Sequence, residues 1–171
     1  GCQMNEYDSS KMLDVLMDAK SPGPEIYYYM VRGGKEKTNI TILEPGIIGD
    51  EYIKTYGHYH VGKLDETYTI LQGKGVIVMQ TRKIDEKGKP LDEEIETFRA
   101  ISVKTGDRVF IPSGAGHLAI NTGETWFVTS DDSPVNFLEK DPISLPGHAD
   151  YGPFKRLHGA AYYVIKKNNE P

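Results

Sequence analysis

Apolar and polar positions change rhythm once along this chain. From Ser9 to Ala19, Met12, Leu13, Leu16 and Met17 recur at helical spacing behind a serine. This predicts a short amphipathic helix, stopped by the breaker Ser21-Pro22-Gly23-Pro24. Beyond it come short β-branched and aromatic runs. EIYYYMV spans 25–31, NITIL 39–43, EYIKTY 51–56, TYTILQ 67–72 and GVIVMQ 75–80. RAISV follows at 99–103, RVFIP at 108–112, HLAIN at 117–121, WFVTS at 126–130 and AYYVIK at 161–166. Turn signals separate them: Gly33-Gly34, Pro45-Gly46 and the Gly73-Lys74-Gly75 hairpin tip. Strands recurring at intervals of about ten residues predict an all-β barrel or sandwich. The charged stretch 83–94 reads as a long hairpin loop, and the proline-bearing stretch 131–147 as another. The division is therefore an N-terminal helix and linker over 1–24 and a barrel domain over 25–171.

At 171 residues the chain has room for a core that needs no covalent staples. A single cysteine, Cys2, excludes an intrachain disulfide and any cysteine-based metal cluster. It points to a reducing cytoplasm. With 20 Lys+Arg against 25 Asp+Glu, the formal charge is −5. That balance argues against nucleic-acid binding and requires any bound anion to be held by local donors. No apolar run approaches the roughly 20 residues of a membrane span.

Five histidines occur: His58, His60, His117, His148 and His158. In Gly57-His58-Tyr59-His60, residues 58 and 60 share one face of an extended strand, close enough to share an ion. Glu66 opens the next strand, and His117 follows the tight Gly114-Ala115-Gly116 stretch. Three imidazoles and a carboxylate would leave coordination positions open for two adjacent substrate oxygens.

The segments GHYHVGKLDETYTILQGKGVIVMQ and TGDRVFIPSGAGHLAINTG resemble the two motifs of the cupin superfamily. The spacings G-H-x-H-x(5)-E-x(6)-G and P-x(4)-H-x(3)-N carry the likeness. Within cupins the chain is most similar, from about 27 to 166, to the metal-dependent, archaeal-type phosphoglucose isomerases. TYGHYHVGKLDE, LQGKG with Gln80, and GHADYG are the telling segments. The resemblance implies an all-β cupin double-stranded β-helix, a jelly-roll barrel with a short N-terminal helix. It implies one divalent metal ion per subunit, Fe²⁺ or Mn²⁺ with Ni²⁺ or Zn²⁺ as substitutes, held by His58, His60, Glu66 and His117. It implies interconversion of glucose 6-phosphate and fructose 6-phosphate, in glycolysis and gluconeogenesis, by a cytoplasmic homodimer.

The family's phosphate contacts match Tyr27, Thr41, Thr55 and Gly57. By residue type alone, the two threonines are ordinary strand residues and Tyr27 a core filler. Tyr68, two residues after Glu66, matches a family tyrosine near the sugar, and His148 matches a late histidine bordering the site. Glu66, Tyr68 and His148 are thus the candidate catalytic groups. The exposed edges of EIYYYMV are the expected dimer surface. Some features depart from the pattern. The tyrosine that follows the WFVTS strand in the family is replaced by Asp131-Asp132-Ser133, the loop after it is longer, and GHADYG carries one extra residue. The gap from His60 to Glu66 is one residue shorter. Two other readings share the ligand shell: a cupin Fe(II) dioxygenase, and a non-catalytic, metal-bearing sugar-phosphate-binding cupin. The hydroxyls of Thr41 and Thr55 suit a phosphate better than an apolar oxygenase substrate.

Overall fold

A computed structural model describes residues 3–32, 39–133 and 149–167. In chain order they form β1 (Gln3–Asp8), the one-turn helix α1 (Ser9–Met12), a 3₁₀ turn (Leu13–Val15), β2 (Ile26–Arg32), β3 (Asn39–Leu43), β4 (Ile47–Ile48) and β5 (Glu51–Tyr52). Then follow β6 (Tyr59–His60), β7 (Glu66–Gln72), β8 (Lys74–Ile84), β9 (Pro90–Lys104), β10 (Arg108–Ile111), β11 (Gly116–Asn121), β12 (Phe127–Asp131), β13 (Ala149–Asp150) and α2 (Gly152–Arg156).

One sheet has the order β1-β2-β3-β12-β7-β10, and the other β11-β8-β9. Residues 53–58 run beside β11 as a further member of the second sheet. They are joined by the bridges Lys54–Ile120 and His58–His117 and by Thr55 N–H donating to the Ala119 carbonyl at 2.9 Å. All named strand pairs are antiparallel, and neighbours such as β3 and β12 are far apart in sequence. This is the strand order of a jelly-roll barrel, the double-stranded β-helix expected from the motifs. Strict alternation of burial along β3, β7 and β12 turns one face of each strand inward. Leu43, Ile53, Ile70, Ile77, Ile120 and Phe127 fill the core. No described helix is long and apolar enough to cross a membrane.

Several elements differ from the sequence expectation. The stretch 83–94 is not a loop: β8 and β9 continue through it as a two-stranded ribbon that turns at 85–89. Its charges sit on a largely exposed ribbon, where Arg82 pairs with Asp92 at 2.6 Å. The N-terminal helix is four residues long and is capped by Asp8, whose Oδ1 accepts from Lys11 N–H at 3.1 Å. Leu13 and Met17 lie outward, while Met12, Val15 and Leu16 are buried. The barrel takes the polar groups a longer helix would use. Lys54 Nζ donates to the Val15 carbonyl (2.6 Å), and Met17 N–H donates to Glu51 Oε1 (3.0 Å).

Gln3–Asp8, polar and unremarked in the sequence, pairs with β2 and stacks Tyr7 on Tyr28 at 4.4 Å. Because β1 and β3 cover both sides of β2, EIYYYMV offers no free edge for a dimer. Residues 161–166 form no strand; Ile165 makes a single bridge to Glu51. The preceding helix α2 was not anticipated.

The anchor of the N-terminal segment is an ion pair inside the barrel wall, Lys54 Nζ to Glu51 Oε2 at 2.6 Å, with both side chains buried. A buried cation that loses its partner keeps its desolvation cost. Glu51→Ala is therefore expected to lower unfolding free energy by about 3–5 kcal/mol. Adding Lys54→Met should recover part of that loss, both read from urea denaturation curves.

Candidate metal centre

Alternation along residues 57–60 separates two jobs. His58 and His60 turn inward, with their Nε2 atoms 3.2 Å apart. Tyr59 turns outward, where its hydroxyl accepts from Gln80 Nε2 at 2.9 Å and its ring lies under the Arg82 guanidinium at 3.6 Å. Two glycines make room. A Cβ on Gly116 would meet the Tyr59 ring at 2.6 Å. Gly57 holds φ +93° with Phe154 2.7 Å from where its Cβ would sit, so no other residue fits.

Glu66, the first residue of β7, points its Oε2 at His60 Nε2 and at His117 Nε2, 3.1 Å from each. His117 comes from β11, and its Nδ1 lies 3.1 Å from the Ala115 carbonyl. That contact makes Nδ1 the N–H donor and leaves Nε2 its lone pair. Glu66 and His117 are almost fully buried. The ligand atoms of His58, His60, Glu66 and His117 lie within 4.8 Å of one another.

These residues fit a cation. Glu66 Oε2 and His117 Nε2 are sealed from solvent and stand 3.1 Å apart; with the imidazole neutral and its proton on Nδ1, neither atom has a hydrogen-bond partner. Two donors bound at right angles about 2.1 Å from one ion stand roughly 3.0 Å apart, close to the separations here. Three neutral imidazoles and one carboxylate suit a divalent transition metal. Burial, with His117 and His60 beside it, holds His58 well below the usual imidazole range. Burial also disfavours charge on His117, but the Glu66 carboxylate outweighs it and the His117 value rises.

Beside the four groups lies a small cavity that is partly open to solvent. Thr41, Thr55, Gly57 and Tyr68 line it together with His58, His60 and Glu66. Tyr27 does not: it is buried on the other face of β2, near Gly23 and Glu51. The alternation of β2 starts one residue later, so Tyr28, Met30 and Arg32 reach the cavity. His148 lies outside the described residues. The sequence reading also missed Arg32, Asn39, Asp131, Ser133 and Tyr151, all on the cavity wall. Arg32 was legible as the residue two beyond Met30. Tyr151 sits in the GHADYG segment already singled out, and its ring packs 5.3 Å from His58.

Burial pushes the phenols of Tyr28, Tyr68 and Tyr151 up from the ordinary value of 10.0, Tyr68 additionally through Glu66. All three are kept neutral in the fold, whereas the unfolded chain releases these protons near 10. Their contribution is complete below the unfolded value and is lost as pH rises towards the folded ones. Stability should therefore be insensitive to these groups up to about pH 9 and fall above 10. Absorbance at 295 nm should show these tyrosines ionising together with alkaline unfolding.

The family model for glucose-6-phosphate isomerase (GPI) matches residues 29–171. The glucose-6-phosphate isomerase of Pyrococcus furiosus is 35 % identical over 132 residues, covering 76 % of this chain and 57 % of that protein. The enzyme of the same name from Thermococcus litoralis gives the same identity and coverage. The chain thus spans a little over half the length of the curated relatives it matches. Among solved structures, the Drosophila melanogaster CENP-C cupin domain aligns with a TM-score of 0.44 and 14 % identity, over 69 % of this chain and 74 % of that one. On the extent of the family match and the identity to its members, this chain belongs to the glucose-6-phosphate isomerase family.

Proposed function

We propose that this protein is a metal-dependent aldose–ketose isomerase that interconverts glucose 6-phosphate and fructose 6-phosphate, a step shared by glycolysis and gluconeogenesis. The observation that carries the reading is a partly buried three-imidazole, one-carboxylate cluster opening on a hydroxyl-lined cavity, in a member of this family. His58, His60, Glu66 and His117 would hold the ion, with Fe²⁺ or Mn²⁺ favoured by the mixed donor set and Ni²⁺ or Zn²⁺ as substitutes. Once bound, a divalent cation supplies Lewis-acid stabilisation of negative charge developing on the sugar oxygens.

The chain's own groups hold the substrate. Thr55 Oγ1 accepts from Ala119 N–H at 3.0 Å, which leaves the hydroxyl hydrogen to donate outward. With Thr41 and the Gly57 amide it forms an uncharged phosphate cradle. The Arg32 guanidinium, on the same wall, adds a positive charge in a chain of net charge −5. Tyr68, held neutral by burial, is a donor for a sugar oxygen. Glu66 serves as a ligand more readily than as a base, because a bound cation lowers its basicity. Gripping the phosphate fixes C1 and C2 relative to the ligand cluster, a proximity effect. The reading carries with it a homodimer in the cytoplasm.

Exhaustive chelation should abolish conversion of fructose 6-phosphate, and Mn²⁺ or Fe²⁺ should restore it. A metal-free preparation with full activity would reject the reading. His60→Ala should lower manganese content after dialysis by at least roughly tenfold, since even outer partners of metal ligands matter that much. Thr55→Val should raise KM for fructose 6-phosphate about tenfold, the loss of one hydrogen bond to a charged group, with metal content unchanged. An unmoved KM would remove Thr55 from the phosphate cradle.

A further inference from the structure

The cavity wall also carries a carboxylate. Asp131 ends β12 directly across from Tyr68 and Asn39 in the strand register. It is 8 % exposed and lines the cavity. Three donors converge on its Oδ1: Asn39 Nδ2 at 2.9 Å, Ser133 N–H at 3.1 Å and Ser133 Oγ at 2.7 Å. Among the described residues none donates to Oδ2, which leaves the second oxygen of this cavity-lining carboxylate as an acceptor.

A negative charge on the wall of a phosphate-binding cavity repels the anion. The fold does not need that charge. The turn at 131–133 uses Oδ1 alone, and the carbonyl oxygen of an asparagine would serve it equally. The chemistry left for Oδ2 is to accept a hydrogen bond from a neutral, hydroxyl-bearing part of the ligand. A sugar hydroxyl both donates and accepts, and the neighbouring Tyr68 phenol supplies the complementary donor.

We propose that Asp131 is a specificity-determining residue: Oδ2 accepts from hydroxyls of the open-chain sugar phosphate and selects a polyol phosphate over a bare anion. Asn39 and Ser133 are positioning residues that spend Oδ1 and aim Oδ2. The assignment rests on the isomerase reading and deepens it. It falls in the stretch where the family pattern has a tyrosine.

Asp131→Asn isolates the claim. The donors at 131–133 hold the amide oxygen in the Oδ1 place, so the amide nitrogen takes the Oδ2 place and turns an acceptor into a donor. Calorimetric titration of the manganese-loaded protein with glucitol 6-phosphate, which cannot isomerise, and with inorganic phosphate reads the effect. The wild type should prefer glucitol 6-phosphate. The variant should bind it roughly ten- to hundredfold more weakly, the range for a hydrogen bond to a charged group. Inorganic phosphate should bind the variant as well as before or more tightly, because a repelling charge has gone. Manganese content and melting temperature should not move. Asn39→Ala, which removes one of the three donors to Oδ1 without touching the charge, should lose several-fold in glucitol 6-phosphate affinity alone. If both ligands shift by one factor in these variants, or neither shifts, Asp131 is a turn residue and the proposal is overturned. A wild type without preference for glucitol 6-phosphate overturns it together with the isomerase reading, before any variant is made.

Discussion

A carboxylate oxygen and the lone-pair nitrogen of a neutral imidazole, closed off from water and 3.1 Å apart, are an expensive arrangement unless something binds both. The barrel is organised to create that arrangement. His58 and His60, Glu66 and His117 come from three separate stretches, and each stands on the inner face of a strand or strand-like segment. The bridge between His58 and His117 puts two of the sources side by side in one sheet, and Glu66 crosses from the other. Neither sheet holds the set alone, so the cluster exists only when the two pack. A cation at this point would tie the two layers together as well as serve chemistry.

The same geometry governs charge. The chain is acidic overall, so an anionic ligand gains nothing from the bulk field. Attraction has to be local, and the cavity places Arg32 at the end of β2 and Asp131 at the end of β12 on one wall. Between them Asn39 is bound to Asp131. A ligand with a charged end and a hydroxylated body suits such a wall better than one that is uniformly anionic or uniformly apolar.

Much of this was legible in the sequence because its signals are local. His-x-His states its own geometry once the segment is known to be extended, and the strand at 66–72 begins where Glu66 predicts. The six-residue step to Glu66 and the isolated His117 gained their meaning from the motif resemblance, since nothing local brings β7 and β11 together. The misses are of another kind. Tyr27 against Tyr28 is a matter of strand phase, and in YYY the side chains give no cue to phase. The helix forecast for 9–19 stops after one turn because Glu51 and Lys54, thirty or more residues away, capture its backbone groups. Charge at 83–94 looked like a loop because a two-stranded ribbon exposed on both faces has no apolar alternation to betray it. Asp131 was noticed only as a missing tyrosine; its role depends on Asn39, a partner 92 positions away.

The outward side of the histidine strand shows why the C-terminal segment belongs with the site. Tyr59 lies between two inward histidines, so any rotation of its backbone moves both imidazoles. Its ring is fixed from one side by Arg82, which is paired to Asp92, and Asp92 also holds Arg156 of α2 at 2.6 Å. Phe154 of α2 packs on Tyr59 at 5.4 Å and fills the space beside Gly57. Gln80 joins the two layers, donating to the Tyr59 hydroxyl and accepting from Ala161 N–H at 2.9 Å. The β8–β9 ribbon, α2 and the chain after it therefore grip one tyrosine whose neighbours are the inward imidazoles. In a jelly roll the far ends of long hairpins are usually free to vary, but here a charge on the ribbon, at Asp92, restrains the strand that carries the ligands. The physical consequence is that loosening this outer layer would blur the spacing of His58 and His60 while leaving the barrel core intact.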